Sequence, residues 1–297
     1  MSLSPSWARS HHTLAVLALV ATTAVWGGTF VVVQDAVERM PVLPFLFWRF
    51  ALAALVLAAL RPRAVAALDP EKRRHGIYLG LALGTGYVLQ TFGLLHTSAT
   101  VSGFITGMFV VFTPILGWVL LGEPVAPVVW GAVGLATVGL ALISLTGLSI
   151  GIGELLTLGC AVMFAAHIVG LSRWSTASDA YGLTVLQLSV VAVMCLAASP
   201  ADGGMALPPD AGVWLAIAFL ALVATALAFL AQAWAQTMMS APRAAIVLTL
   251  EPVFAGIFGV TIGGDELTGR IVAGGLCIIA AMYLVELGPQ LSRRAAR

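Results

Sequence analysis

Residues 76–122 read GIYLGLALGTGYVLQTFGLLHTSATVSGFITGMFVVFTPILGWVLLG, 47 residues without a single Asp, Glu, Lys or Arg. One helix of that length would extend about 70 Å at ~1.5 Å per residue, against a bilayer hydrocarbon core of about 30 Å. The segment must therefore cross, turn and cross back, and the polar His96-Thr97-Ser98 supplies the turn. The same test carried outward predicts ten spans, near 13–33, 41–60, 76–95, 98–121, 126–147, 152–172, 180–199, 212–236, 240–263 and 267–286. Pro, Gly and Asp mark the short connections, as at Pro124 and Asp202-Gly203-Gly204, and only 61–75 is a substantial hydrophilic loop. Arg9 followed by an apolar run resembles a cleaved leader, but the uncharged stretch Ser10–Gln34 is long enough to span.

Composition points the same way. Of 297 residues, 60% are hydrophobic and 9% charged, with a mean hydropathy of +1.04. A soluble domain carries roughly 25% charged residues, so this chain could not cover a water-facing surface. The net charge of +1, with no basic patch, gives no reason to expect a nucleic-acid partner. Cys160, Cys195 and Cys277 lie in apolar runs without CxxC or metal-ligand spacing, which reads as packing, with no metal site and no cofactor expected. An enzyme is disfavoured. There is no HExxH, no P-loop, and the sole lysine, Lys72, sits in a loop where no Ser-Lys pair can form.

Orientation follows from the loop charges. With the N-terminus inside, eleven basic residues fall on inside segments: Arg9, Arg61, Arg63, Lys72, Arg73, Arg74, Arg173, Arg243, Arg293, Arg294 and Arg297. Only Arg39 and Arg270 fall outside. Both termini are expected in the cytoplasm, with 1–12 an N-terminal tail and 287–297 a basic C-terminal tail.

The chain also repeats. A shift of 142 residues brings Val111-Phe112 onto Val253-Phe254, Gly117 onto Gly259, Gly122-Glu123 onto Gly264-Asp265, Gln90 onto Gln232, Phe92 onto Trp234 and Ala99 onto Ala241. Earlier in the halves the shift is 138, and Trp26 meets Phe164 while Arg49 meets Gln187. Two repeats, 13–147 and 148–286, are expected, each with five spans. An odd span number inserts the second copy upside down, and inverted repeats are a transporter architecture. The expected fold is all-α and polytopic, with ten transmembrane helices in two inverted five-helix repeats.

Ionisable and amide groups inside spans mark a pathway or a structural pair. Glu251 precedes Pro252 in the ninth span and reads either as a proton carrier or as a structural acid, paired with Arg49 or otherwise hydrogen-bonded. Arg49 reads as an anchor for a substrate carboxylate, through two parallel bonds, or as a structural group that neutralises Glu251 or binds backbone carbonyls. His167 reads as a cavity or proton-exchanging group, or as a packed neutral histidine. Gln90, Gln187 and Gln232 are cavity or interhelical amides, and Trp26, Tyr87 and Trp234, with Phe92, are an aromatic lining or plain packing. GxxxG pairs such as Gly103/Gly107 allow close helix approach and leave monomer and homodimer both open.

Trp26-Gly27-Gly28-Thr29-Phe30, Phe47-Trp48-Arg49-Phe50, Thr97-Ser98-Ala99 with Gly103-Phe104-Ile105-Thr106-Gly107, Gly122-Glu123 and Leu250-Glu251-Pro252-Val253-Phe254 together resemble the EamA family of the drug/metabolite transporter superfamily. The resemblance covers about 13–286. It implies a ten-helix carrier with inverted repeats, an exporter of amino acids, small metabolites or amphipathic drugs, with protons as a coupling partner. The chain departs from that pattern at His167, where the family often carries an aromatic residue. A facilitative uniporter, a channel and a membrane sensor are the competing readings. The expected location is the cytoplasmic membrane of a bacterium, in keeping with an Ala/Gly/Val-rich chain.

Overall fold

In lipid, a backbone that cannot reach water must satisfy its own N–H and C=O groups, and a helix does this within one segment. The computed structural model describes residues 5–122, 125–146, 149–176, 178–238 and 247–295. Glu123, Pro124, Ala241, Arg243 and Arg297, and the first residues of the expected ninth span, lie outside these. The elements are α1 (Pro5–Val37), α2 (Val42–Leu60), α3 (Pro70–Leu94), α4 (Ala99–Gly107), α5 (Phe109–Leu121) and α6 (Pro127–Ser144). They continue with α7 (Ile152–Trp174), α8 (Ala180–Ala198), α9 (Ala211–Ala221), α10 (Ala228–Met238), α11 (Glu251–Thr261) and α12 (Gly269–Ala295). A π-helical segment, Leu222–Leu227, joins α9 to α10. Among the described residues, seven helical segments are long and apolar enough to cross a membrane, and three shorter apolar helices occupy Pro127–Ile143, Glu251–Thr261 and Gly269–Val285. The chain is a multi-pass, essentially all-helical membrane protein.

Several boundaries differ from the sequence expectation. α3 begins at Pro70, six residues before 76, because Asp69 caps it through a 2.7 Å bond from Lys72 N and a proline occupies its first turn. Its charged first turns are helix outside the apolar run, which a hydropathy criterion cannot see. The expected tails 1–12 and 287–297 are likewise helical from Pro5 and as far as Ala295. A two-residue antiparallel ladder, β1 (Leu145–Thr146) with β2 (Ser149–Ile150), interrupts the all-helical pattern at the junction of the expected repeats.

Two spans are broken. α4 gives way to α5 at Met108, and a short helical turn at Val247–Leu248 gives way at Thr249-Leu250 to α11. Packing joins α6 to α12, α3 to α7 and α8, α2 to α8 and α9, α1 to α10 and α11, α4 to α11, and α4 and α5 to α7. Glycine allows the closest of these approaches. A Cβ at Gly27 of α1 would lie 2.5 Å from Phe254 Cβ and 2.7 Å from Ala255 N of α11.

The helix ends form two faces. One carries the 61–69 loop and is called the basic face below. At the opposite face, loops tie the parts of the chain together. Asp202 Oδ2 accepts from Leu43 N of α2 at 2.8 Å, and Asp265 Oδ2 accepts from Thr100 N of α4 at 2.7 Å. Thr97 donates to Glu154 at 2.8 Å, and Gln34 Nε2 donates to the carbonyls of Leu94 and Thr97. Arg39 pairs with Asp210 at 3.1 Å and with Asp35. On the basic face Lys72 Nζ pairs with Asp179 at 2.9 Å, and Tyr181 donates its hydroxyl to Leu57 O at 2.7 Å.

Candidate functional site: a central polar cavity

A cavity of about 360 Å³ lies among α1, α2, α3, α4, α5, α7, α8, α10 and α11. Its lining reaches Leu171 and Thr184, each about one helical turn from the basic face, and stops a turn or more short of the opposite face. The volume falls in the range of roughly 300–1,000 Å³ usual for small-molecule sites.

Arg49 comes from α2, one of the most apolar helices, and is 3% exposed. Its guanidinium carbon lies 5.1 Å from the Phe50 ring centroid and 5.0 Å from that of Tyr87. Aromatic faces attract a cation there and leave the N–H edges without acceptors. Nε is buried without a hydrogen-bond partner. Glu251 begins α11 immediately after the break, followed by Pro252, whose missing N–H is harmless in a first turn. An acid in that position also lies favourably at the positive end of the helix dipole. Its side chain is half-buried and lines the same cavity. Among the described residues, no ion pair joins Arg49 to Glu251. Each of the two contributes to the lining of the same cavity.

The uncharged polar groups are positioned by neighbours. His167 Nε2 of α7 lies 2.6 Å from Gln187 Oε1 of α8, a bond the ring N–H donates. Gln90 Nε2 donates to Thr106 Oγ1 at 3.1 Å, bridging α3 and α4. Trp26 Nε1 donates to Ala224 O at 2.8 Å. That carbonyl belongs to the π-helical segment, a local irregularity of the kind often found at functional sites. Phe229 lies 5.8 Å from Trp26, and Phe164 lies 5.1 Å from Tyr87 edge-on, extending the aromatic wall.

Of the sequence-predicted residues, the structure brings Trp26, Arg49, Tyr87, Gln90, His167, Gln187, Gln232 and Glu251 into one lining. Trp234 is not part of it and is 37% exposed. Two residues from Gln232 on a helix, it points about 200° away. Phe92 packs against the core instead. Thr29, Thr106, Phe109, Phe164 and Phe229 were missed. Signals existed for two of them: Phe164 is the repeat partner of Trp26, and Phe229 lies three residues before Gln232, on its helical face.

A protein-family model, that of the EamA-like transporter family, matches the chain twice in tandem, over residues 13–145 and 151–287. The chain belongs to the EamA-like transporter family. A relative, an uncharacterized transporter of Archaeoglobus fulgidus, is 32% identical over 274 residues, covering 92% of this chain and 86% of that protein. A solved crystal structure of a protein 17% identical superposes with a TM-score of 0.60 over 91% of this chain and 96% of the other, a likeness of fold. The EamA-like assignment makes the cavity part of a membrane transporter.

Proposed function

We propose that the chain is a secondary carrier that exports small metabolites, amino acids or amphipathic drugs across a bacterial cytoplasmic membrane by alternating access, with both termini cytoplasmic. The observation that carries this reading is that Arg49 and Glu251, a base and an acid from apolar helices, line one cavity with no ion pair to either among the described residues. Unpaired ionisable groups at such depth are expensive unless a solute, water or proton serves them.

Alternation needs two similar packings, and the contact pattern supports ten spans in inverted five-span repeats. Exchanging α1 with α7, α2 with α8, α3 with α9–α10, α4–α5 with α11 and α6 with α12 carries the main packing seams onto one another. The α3·α7 seam becomes α1·α10, α3·α8 becomes α2·α9, and α5·α7 becomes α1·α11. The two helix breaks, at Met108 and Leu250, are 142 residues apart, the repeat offset itself. Discontinuous helices that flank a central site are a recurring feature of such carriers.

In the proposed cycle a solute enters from the basic face, here taken as cytoplasmic, while Glu251 is ionised. The halves then rock, the solute leaves at the opposite face, and an external proton neutralises Glu251 for the return. The test is purified protein in proteoliposomes carrying an internal pH dye, with pools of amino acids and amphipathic drugs added in turn. The expected result is a saturable, solute-triggered proton flux that Glu251→Gln abolishes. Exchange of labelled solute without proton movement would leave a uniporter or exchanger and remove Glu251 from coupling. Non-saturating conductance would replace the carrier by a channel.

A further inference from the structure

A second cavity, of about 630 Å³, lies away from the first, between the 61–69 loop and the start of α8. Its polar lining is Arg61, Arg63, Ser178, Asp179 and Tyr181. Its depth is marked by α2. Leu55 and Leu60 are 67% and 64% exposed, large apolar groups suited to acyl chains, and the chain leaves the helix one residue later, at Arg61. The cavity therefore begins where the lipid-facing surface ends, at the level of the headgroups.

Its walls are braced. Ala67 N donates to Arg63 O at 2.9 Å, Arg73 Nη2 donates to Ala66 O at 2.8 Å, and Leu68 is buried beneath the loop. The Tyr181 ring is fixed by its hydroxyl bond to Leu57 O, and the Arg61 guanidinium carbon lies 4.7 Å from that ring's centroid. A guanidinium resting on an aromatic face keeps its N–H fork free for an oxyanion. The one acid in the lining is already committed. Asp179 accepts from Thr176 at 2.6 Å and pairs with Lys72, and those contacts hold its carboxyl below the ordinary range. Among the described residues, neither Arg61 nor Arg63 makes an ion pair. The cavity thus presents two unpaired guanidinium groups beside a neutralised carboxylate.

We propose that this cavity binds the headgroup of an anionic phospholipid, with the phosphate held by Arg61 and Arg63 and an acyl chain lying along the exposed face of α2. The chemistry is that of a phosphate oxyanion, and the adjoining apolar surface selects a lipid over a free anion. Basic pockets at the edge of a helical bundle are a recognised form of such sites. This inference is independent of the transport reading and of Arg49 and Glu251.

The test is native mass spectrometry of the full-length protein purified in detergent doped with equal phosphatidylglycerol and phosphatidylcholine, with and without inorganic phosphate. The wild type is expected to retain phosphatidylglycerol selectively, and Arg61→Ala/Arg63→Ala to lose about 30-fold in that retention. Arg74→Ala/Arg173→Ala removes two exposed arginines outside the cavity and is expected to change retention less than twofold. Arg61→Lys/Arg63→Lys keeps the charge without the fork, guards against a folding artefact, and is expected to retain intermediate selectivity. Equal losses in the two alanine variants would replace the site by diffuse attraction and overturn the proposal. Displacement of the lipid by inorganic phosphate at matched concentration would overturn it in favour of a free-anion site.

Discussion

The two faces of the bundle are held together by different means. At the opposite face, acids on second-half loops cap first-half helices: Asp202 serves α2 and Asp265 serves α4. At the basic face α2 and α3 meet α7 and α8 through Lys72, Tyr181 and Asp179, while the central cavity runs to within a turn of the surface beside them. A helix start leaves backbone donors that are costly to bury unmet. A carboxylate that crosses from one half to cap the other therefore couples helix stability to closure. The ion pairs make the same point at lower energy. Lys72 at the start of α3 meets Asp179 before α8, and Asp210 at the start of α9 meets Arg39 before α2, so equivalent places on the two faces carry exchanged charges. Those pairs hold the frame at both ends, whereas the Asp265 cap belongs to one end and to the broken helices.

The largest expected effect probes the close-packed seam between α1 and α11. Gly27→Ala places a Cβ 2.5 Å from Phe254 Cβ and should cost about 1–3 kcal/mol by overpacking. Gly28→Ala meets Phe258 Cδ2 at 3.4 Å and should lower the thermal midpoint less. Equal midpoints for the two variants would mean that the seam is not close-packed.

Next is the cap. Asp265→Ala should speed hydrogen exchange of the Thr100 amide by about tenfold, the usual consequence of losing a helix cap. The corresponding change at the basic face, Lys72→Ala, removes a partly exposed pair and should alter transport and exchange less than twofold. If the two variants behave alike, the distinction between a closing cap and a framing pair fails.

The smallest effect is in pH. Asp179 is held below the ordinary carboxylate range by Thr176 and then by Lys72. A depressed value means that the tie is fully present above the ordinary range and is lost as pH falls through the lowered one. Thermal midpoints of wild type and Asp179→Asn should therefore converge as the solution is acidified through that window, and a gap that widens there would reverse the sign.

Much of this was legible in the sequence because bilayer thickness turns an uncharged run into a span count. The 47 residues from 76 to 122 did become α3 through α5 with their turn near His96. The repeat offset anticipated that Gln90 and Gln232 face one space. Helix facing was harder to read. In helices such as α9, apolar all round, periodicity carries no phase, and the π-helical segment that follows adds a rotation no hydrophobic pattern signals. Within α10 the phase was readable: Trp234, two residues from Gln232, faces about 200° away from it, whereas Phe229 shares its face and was overlooked. The separation of Arg49 from Glu251 was equally hidden, because each could equally have been a partner for the other and only packing decides.

The most direct test of the account is two-sided access to the cavity. Gln90→Cys would be placed in a chain whose Cys160, Cys195 and Cys277 are replaced by alanine, then treated with a membrane-impermeant thiol reagent in intact cells and in inside-out vesicles. The account predicts labelling in the vesicles, protection in cells, and labelling in cells once Asp265→Ala is added. Equal labelling from both sides without that change, or labelling in cells alone, would contradict a carrier cavity open to the basic face and closed at the other.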